Sequence, residues 1–89
     1  MDWRSLPPLN SLKVFAVVAE SKSLSAAGRE LNVTHAAVSQ QIRSLESFMG
    51  LKQIMREGRG VALTLEGDQL FSGLIGGFEA IRETVDALL

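Results

Sequence analysis

The chain has 89 residues, 46% hydrophobic and 21% charged, with a formal net charge of −1, which suits one small domain around a single core. It has no cysteine and one histidine, which excludes a disulfide framework and a thiolate or multi-histidine metal site; with every nucleophilic triad dependent on His35 alone, no enzyme and no cofactor are expected. No run of about 18 apolar residues is present, so no transmembrane helix is expected, and the opening MDWRSLPPLN lacks the apolar centre of a signal peptide, which makes the cytoplasm the default location.

Pro7 and Pro8 prevent an earlier helix and open a first one near Leu9 or Asn10. Leu12, Phe15, Ala16 and Ala19 follow at i, i+3, i+4 and i+7, with Val18 alongside. This helix is expected to run to about Ser21 and to support a core. Ser25 is the expected N-cap of a short helix over Ala26–Leu31. Gly28 inside it costs about 1 kcal/mol relative to Ala, which points to the close approach of another helix. Asn32 suits the left-handed ending of that helix. Val33 is expected to turn inward and Thr34 to cap the next helix. Two helices about three residues apart have the spacing of a helix-turn-helix.

The stretch Thr34–Gly50, THAAVSQQIRSLESFMG, separates by residue type at a helical step of about 100°. Val38, Ile42, Leu45 and Met49 fall on one side as a core stripe, with Ala37, Gln41 and Phe48 at its margin. His35, Ala36, Ser39, Gln40 and Arg43 fall on the other, within an arc of roughly 140°. That second face is small, hydrogen-bonding and cationic, and free of acid. Solvated faces are usually rich in Lys and Glu; this one can approach a polyanion closely and meet base edges in a DNA major groove.

Gly50 ends this helix. Ile54 on one side of Glu57-Gly58-Arg59-Gly60, and Val61 and Leu63 on the other, read as a two-stranded hairpin with Arg56 and Arg59 near its tip. After a helix-turn-helix such a hairpin is a wing; by itself it reads as a surface hairpin with exposed arginines. Thr64 is the expected cap of a last helix, with Glu66 and Asp68 complementing the dipole of its first turn. In that helix Phe71, Leu74, Phe78, Ile81, Val85 and Leu88 form a heptad seam of about two and a half repeats. The seam either packs on its own domain or pairs with the same helix of a second copy. The helix is long for a domain with a three-helix core, which favours pairing. Gly73, Gly76 and Gly77 weaken it by about 1 kcal/mol each, a loss that partner packing must offset.

The fold expected is therefore mainly α: a winged helix-turn-helix with a three-helix core and a two-stranded wing over residues 1–64, then a linker and dimerisation helix over 65–89. Charge divides along the same boundary. Residues 1–64 carry a net +3 and residues 65–89 a net −4, as expected of a DNA-contacting body bearing a separate interaction helix. The runner-up is a winged-helix protein-interaction domain without DNA contact, which the acidic total supports.

The residues SLSAAGRELNVTHAAVSQQIRSLESFMG and REGRGVALTLEG resemble the N-terminal DNA-binding domain of LysR-type transcriptional regulators. The family's Ser/Thr-x-Ala-Ala-x-x-Leu helix is similar to Ser25–Leu31, and its Ala-x-Ser-x-Gln-Ile-x-x-Leu-Glu run to Ala37–Glu46. Its wing pattern Arg-x-Val-x-Leu-Thr-x-x-Gly is similar to Arg59–Gly67. The likeness covers about residues 8–89; PPLNSL and NVTHAAVSQQI look like the branch of glycine-cleavage activators and β-lactamase regulators. It implies binding of double-stranded DNA at the bacterial nucleoid. It also implies a homodimer through the last helix, with tetramers in full-length regulators, and a small-molecule effector bound only by a C-terminal domain outside this chain. By the same resemblance His35, Ala36, Ser39 and Gln40 meet bases and Arg59 enters the minor groove. Thr34, Arg43, Arg56 and Thr64 then stand at phosphate-holding positions.

This sequence departs from the family pattern at several places. Gln53-Ile54 replaces a usual Leu-Phe, which implies looser packing where the wing begins. Gly28 replaces the second Ala of the Ala-Ala pair. Gln40 replaces an Arg common in the family, which shifts the expected readout from guanine toward adenine N6/N7, and Ala36 suits a thymine methyl. Three side chains have plainer alternatives: His35 bonding only a phosphate, Ser39 bonding the preceding helical turn, and Arg43 pairing with Glu46 in solvent.

Overall fold

Several helix ends of the chain fall at residues suited to that position. The computed structural model describes residues 1–89, with helices α1 (Leu9–Ser21), α2 (Leu24–Leu31), α3 (His35–Met49) and α4 (Leu65–Leu88), and strands β1 (Ile54–Glu57) and β2 (Gly60–Leu63). The Thr34 Oγ1 accepts from the Ala37 N–H at 3.0 Å, and the Thr64 Oγ1 from the Gly67 N–H at 3.0 Å. These caps satisfy N–H groups that the helix leaves unpaired. Asn32 and Gly50 end α2 and α3 in the left-handed conformation, at φ 57° and 69°. Lys22 does the same for α1 at φ 57°.

Three local expectations are corrected. The cap of α2 is Ser23, not Ser25: its hydroxyl accepts from the Ala26 N–H at 3.1 Å. The earlier start lets Leu24 pack against the core. The prolines do not bar all helix before them, since Trp3–Ser5 form one 3-10 turn capped by the Asp2 carboxylate. Val33 does not turn inward; it is 46% exposed. Its N–H donates to the Gly28 carbonyl at 2.9 Å, and its own carbonyl lies 2.8 Å from where a Gly28 Cβ would stand. The backbone of the turn, and behind it Val38, thus makes the close approach that Gly28 permits.

The core is one cluster of Leu12, Val14, Phe15, Val18 and Ala19 from α1, Ala27 from α2, and Val38, Ile42 and Leu45 from α3. Each set lies on one face of its helix, as the apolar spacing requires. Ser11 is also fully buried; its hydroxyl donates to the Gln41 Oε1 at 2.7 Å. That bond gives Gln41 a reason to sit at the margin of the core stripe. The strands pair antiparallel, Ile54 with Leu63 and Glu57 with Gly60. Gly58 takes φ 59° while Arg59 keeps a negative φ, as a type II′ hairpin turn demands.

The heptad seam of α4 divides in two. Phe71, Leu74 and Phe78 are half-buried against the core, with α4 lying across α1. Ile81, Val85 and Leu88 are exposed, Ile81 by 61% and Leu88 by 83%. From Glu79 onward every residue of α4 is exposed, so this end of the helix runs past the core. No helix is long and apolar enough to cross a membrane.

Gly67 is buried in the first turn of α4, and a Cβ built there would overlap the Gln53 carbonyl oxygen. Gly67→Ala is expected to destabilise the chain by about 1–3 kcal/mol through overpacking. Gly73→Ala, with nothing within 4 Å of the added Cβ, is expected to stabilise it by up to about 1 kcal/mol. Thermal unfolding of the two variants checks both signs; a shift in the same direction would refute the packing argument.

Candidate nucleic-acid interface

Burying Val38, Ile42 and Leu45 forces the opposite face of α3 outward. His35, Ala36, Gln40 and Arg43 are exposed and Ser39 is half-buried. The wing rises on the same flank. Between α3 and the wing lies an open groove of about 790 Å³, and His35, Ser39, Arg43, Arg56 and Arg59 all line it. Lys52 and Thr64 line it too. The turn exposes Arg59 at the hairpin tip, and Arg56 is exposed on β1.

Only one acid, Glu46, lines the groove, and both its carboxylate oxygens are engaged by the chain itself. Its side chain is 12% exposed. The Oε2 accepts from the backbone N–H of Gln53 at 2.8 Å and of Ile54 at 3.4 Å, and the Oε1 stands 3.6 Å from the Lys52 Nζ. One carboxylate thereby ties α3 to the first residues of the wing. Other bonds fix the far strand. Val61 N–H donates to the Lys22 carbonyl at 3.0 Å, and Thr64 N–H to the Gln53 carbonyl at 3.1 Å. Gly60 lies so near the Lys22 carbonyl that a Cβ would overlap it.

The groove brings together His35, Ser39, Arg43, Arg56, Arg59 and Thr64 of the expected residues. Thr34 caps α3, its hydroxyl proton uncommitted, and Ala36 and Gln40 stand on the outer side of that helix. The Thr64 hydroxyl differs: it donates to the Lys52 carbonyl at 2.7 Å while accepting from Gly67. Its proton is spent inside the chain, so Thr64 is a structural cap with no hydroxyl donor left for a phosphate. Arg43 does not pair with Glu46; its Nη2 donates to the Gln40 Oε1 at 3.0 Å.

Sequence reasoning missed Lys52 and Ser25, which also line the groove. With the cap at Ser23, the Ser25 side chain is left exposed toward the groove. The start of the wing is not loosened, since Gln53 is fully buried. Its Nε2 donates to the Leu51 carbonyl at 3.1 Å, and the mismatch with the family pattern appears as a buried Oε1 without a partner.

Residues 9–68 match the bacterial regulatory helix-turn-helix protein family, lysR family. The chain belongs to the LysR family. That is a family of transcription regulators and not of enzymes. The chain is 43% identical over 88 residues to the AhcY transcriptional activator HvrB of Rhodobacter capsulatus, spanning 99% of this chain and 30% of that protein. It is 45% identical over 85 residues to the glycine cleavage system transcriptional activator of Escherichia coli K12, spanning 96% of this chain and 28% of that one. The chain thus spans under a third of the length of these two relatives. The BenM DNA-binding domain, solved in complex with catB site 1 DNA, superposes with a TM-score of 0.83 at 28% identity, covering 90% of this chain and 89% of that one.

Glu46→Ala removes the acceptor of two backbone N–H groups at the wing base. It is expected to lower unfolding stability by about 1.5–3 kcal/mol, the range for hydrogen bonds to a charged group. Glu46→Gln, which keeps an oxygen acceptor, is expected to lose less. Urea denaturation measures both, and an unchanged midpoint for Glu46→Ala would show that the carboxylate does not hold the wing.

Proposed function

We propose that this chain is the sequence-specific, double-stranded-DNA-binding part of a LysR-type transcription regulator, working in the bacterial cytoplasm at the nucleoid. Residues 1–64 form the DNA-contacting body and residues 65–89 the linker and dimerisation helix. The observation that carries this reading is the shared flank: His35, Ser39 and Arg43 of α3 and both wing arginines open onto one groove, with Ala36 and Gln40 exposed on the outer side of the same helix. The likeness in fold to a BenM domain solved on DNA supports it.

In this reading α3 enters the major groove, with His35, Ala36, Ser39 and Gln40 at base edges. Thr34, Arg43 and Arg56 hold the phosphate backbone, and Arg59 at the wing tip reaches the flanking minor groove. Phosphate contacts supply affinity for any sequence, and base contacts supply preference. The acidic α4 points its charge away from the duplex. Its exposed apolar end, Ile81, Val85 and Leu88, pairs with the same residues of a second copy, while Phe71, Leu74 and Phe78 stay with their own core. The rival reading, a protein-interaction domain of the same fold, has the net acidic total in its favour. It predicts no retention of a labelled duplex library at any salt concentration.

Arg59→Ala is expected to weaken binding to cognate and random duplexes alike and to reduce the slope of log affinity against log salt by about one unit. An unchanged slope would remove Arg59 from the contact set. For the dimer, the chain is expected to sediment as two copies at micromolar concentration and the Ile81→Asp/Val85→Asp variant as one. Both substitutions lie outside the folded core. A monomer at high micromolar concentration for the unaltered chain would count against pairing through α4.

A further inference from the structure

We infer that Arg43 sets base specificity by holding the Gln40 amide, so that the pair selects guanine where Gln40 faces the DNA. This rests on the proposed reading of Gln40 as a base contact. The Arg43 Nη2, at the edge of the groove, donates to the Gln40 Oε1 at 3.0 Å, and both side chains are exposed. The bond is not a default. The carboxylate nearest along the helix, Glu46, already serves Gln53, Ile54 and Lys52. On its other side Arg43 shares the groove with Lys52, Arg56 and Arg59, which repel it. The guanidinium is therefore driven toward the neutral amide of Gln40.

The consequence follows from donor and acceptor chemistry. A free glutamine reads adenine with both ends, its oxygen accepting from N6 and its nitrogen donating to N7. Here one of the oxygen's two lone pairs is engaged and a positive charge stands beside the other, so the amino groups of adenine and cytosine meet a competing donor. What the pair presents outward is chiefly donors: the Gln40 Nε2 hydrogens and the remaining guanidinium N–H groups. Within one base, only guanine shows two adjacent acceptors in the major groove, N7 and O6. Arg43 is in this sense a positioning residue for Gln40, beyond any phosphate it neutralises.

Selection from a randomised duplex library tests this, using the full chain and its Gln40→Ala, Arg43→Met and double variants. Gln40→Ala identifies the position, as the one whose preference it flattens. The unaltered chain is expected to favour guanine over adenine there by about tenfold. Arg43→Met is expected to abolish or invert that ratio, and to have no effect on it in the Gln40→Ala background. A preference for adenine in the unaltered chain overturns the inference. So does an Arg43→Met variant that loses affinity on all sequences equally while its base profile stays intact, since Arg43 then acts on phosphate alone. If Gln40→Ala flattens no position, Gln40 is not a base contact, and both the inference and the reading beneath it fail together. The first two outcomes leave that reading standing.

Discussion

The arrangement depends on one carboxylate doing two jobs. Glu46 stands on α3 one turn beyond Arg43 and reaches the backbone N–H groups of Gln53 and Ile54. A hairpin of two four-residue strands has no stability of its own, and its angle to the helix must be fixed from outside. Backbone N–H groups bonded to a largely buried anion fix it firmly, because leaving them unpaired carries a desolvation cost. The same bonds engage the only acid that lines the groove. With Glu46 exposed, the flank that gathers Arg43, Lys52, Arg56 and Arg59 would lose part of its positive field and Arg43 would have a nearer partner.

Much of this was legible in the sequence because it rests on local rules. The apolar spacing of Leu12, Phe15, Ala16 and Ala19, and of Val38, Ile42 and Leu45, depends only on helical periodicity, and all of these residues are buried. Thr34, Asn32, Gly50 and Thr64 mark helix ends by their own chemistry, and each does so here. The outward face of α3 follows from its buried one. What was not legible involves choices between neighbours or partners distant in the chain. Ser23 and Ser25 have the same capping chemistry, and only the burial of Leu24 decides between them. Ser11 and Gln41 lie thirty positions apart, and nothing local predicts their bond. Gln53 carries no sign of full burial, since a glutamine usually lies at the surface. The α4 seam has one period throughout, and nothing in that period marks Phe78 as the point where it leaves its own core.

Charge is sorted to match the shape. The body carries a positive sum and α4 a negative one, and their separation lets a chain of net charge −1 offer a basic groove. Whole-chain charge alone would have pointed away from nucleic acid. On α4 the acids Glu79, Glu83 and Asp86 and the lone Arg82 lie beyond the core-packed portion, where Arg82 Nε donates to Asp86 at 3.2 Å.

The seating of α4 has a mechanical consequence. α4 is held against its own core as far as Phe78, with Gly67 wedged against the Gln53 carbonyl at its start. Leu88 lies ten residues beyond Phe78, about 15 Å further along the helix. A tilt of about 10° where the helix leaves the core would sweep that end through roughly 3 Å, about two residues of helical rise. The exposed end thus magnifies any change in how Phe71, Leu74 and Phe78 pack.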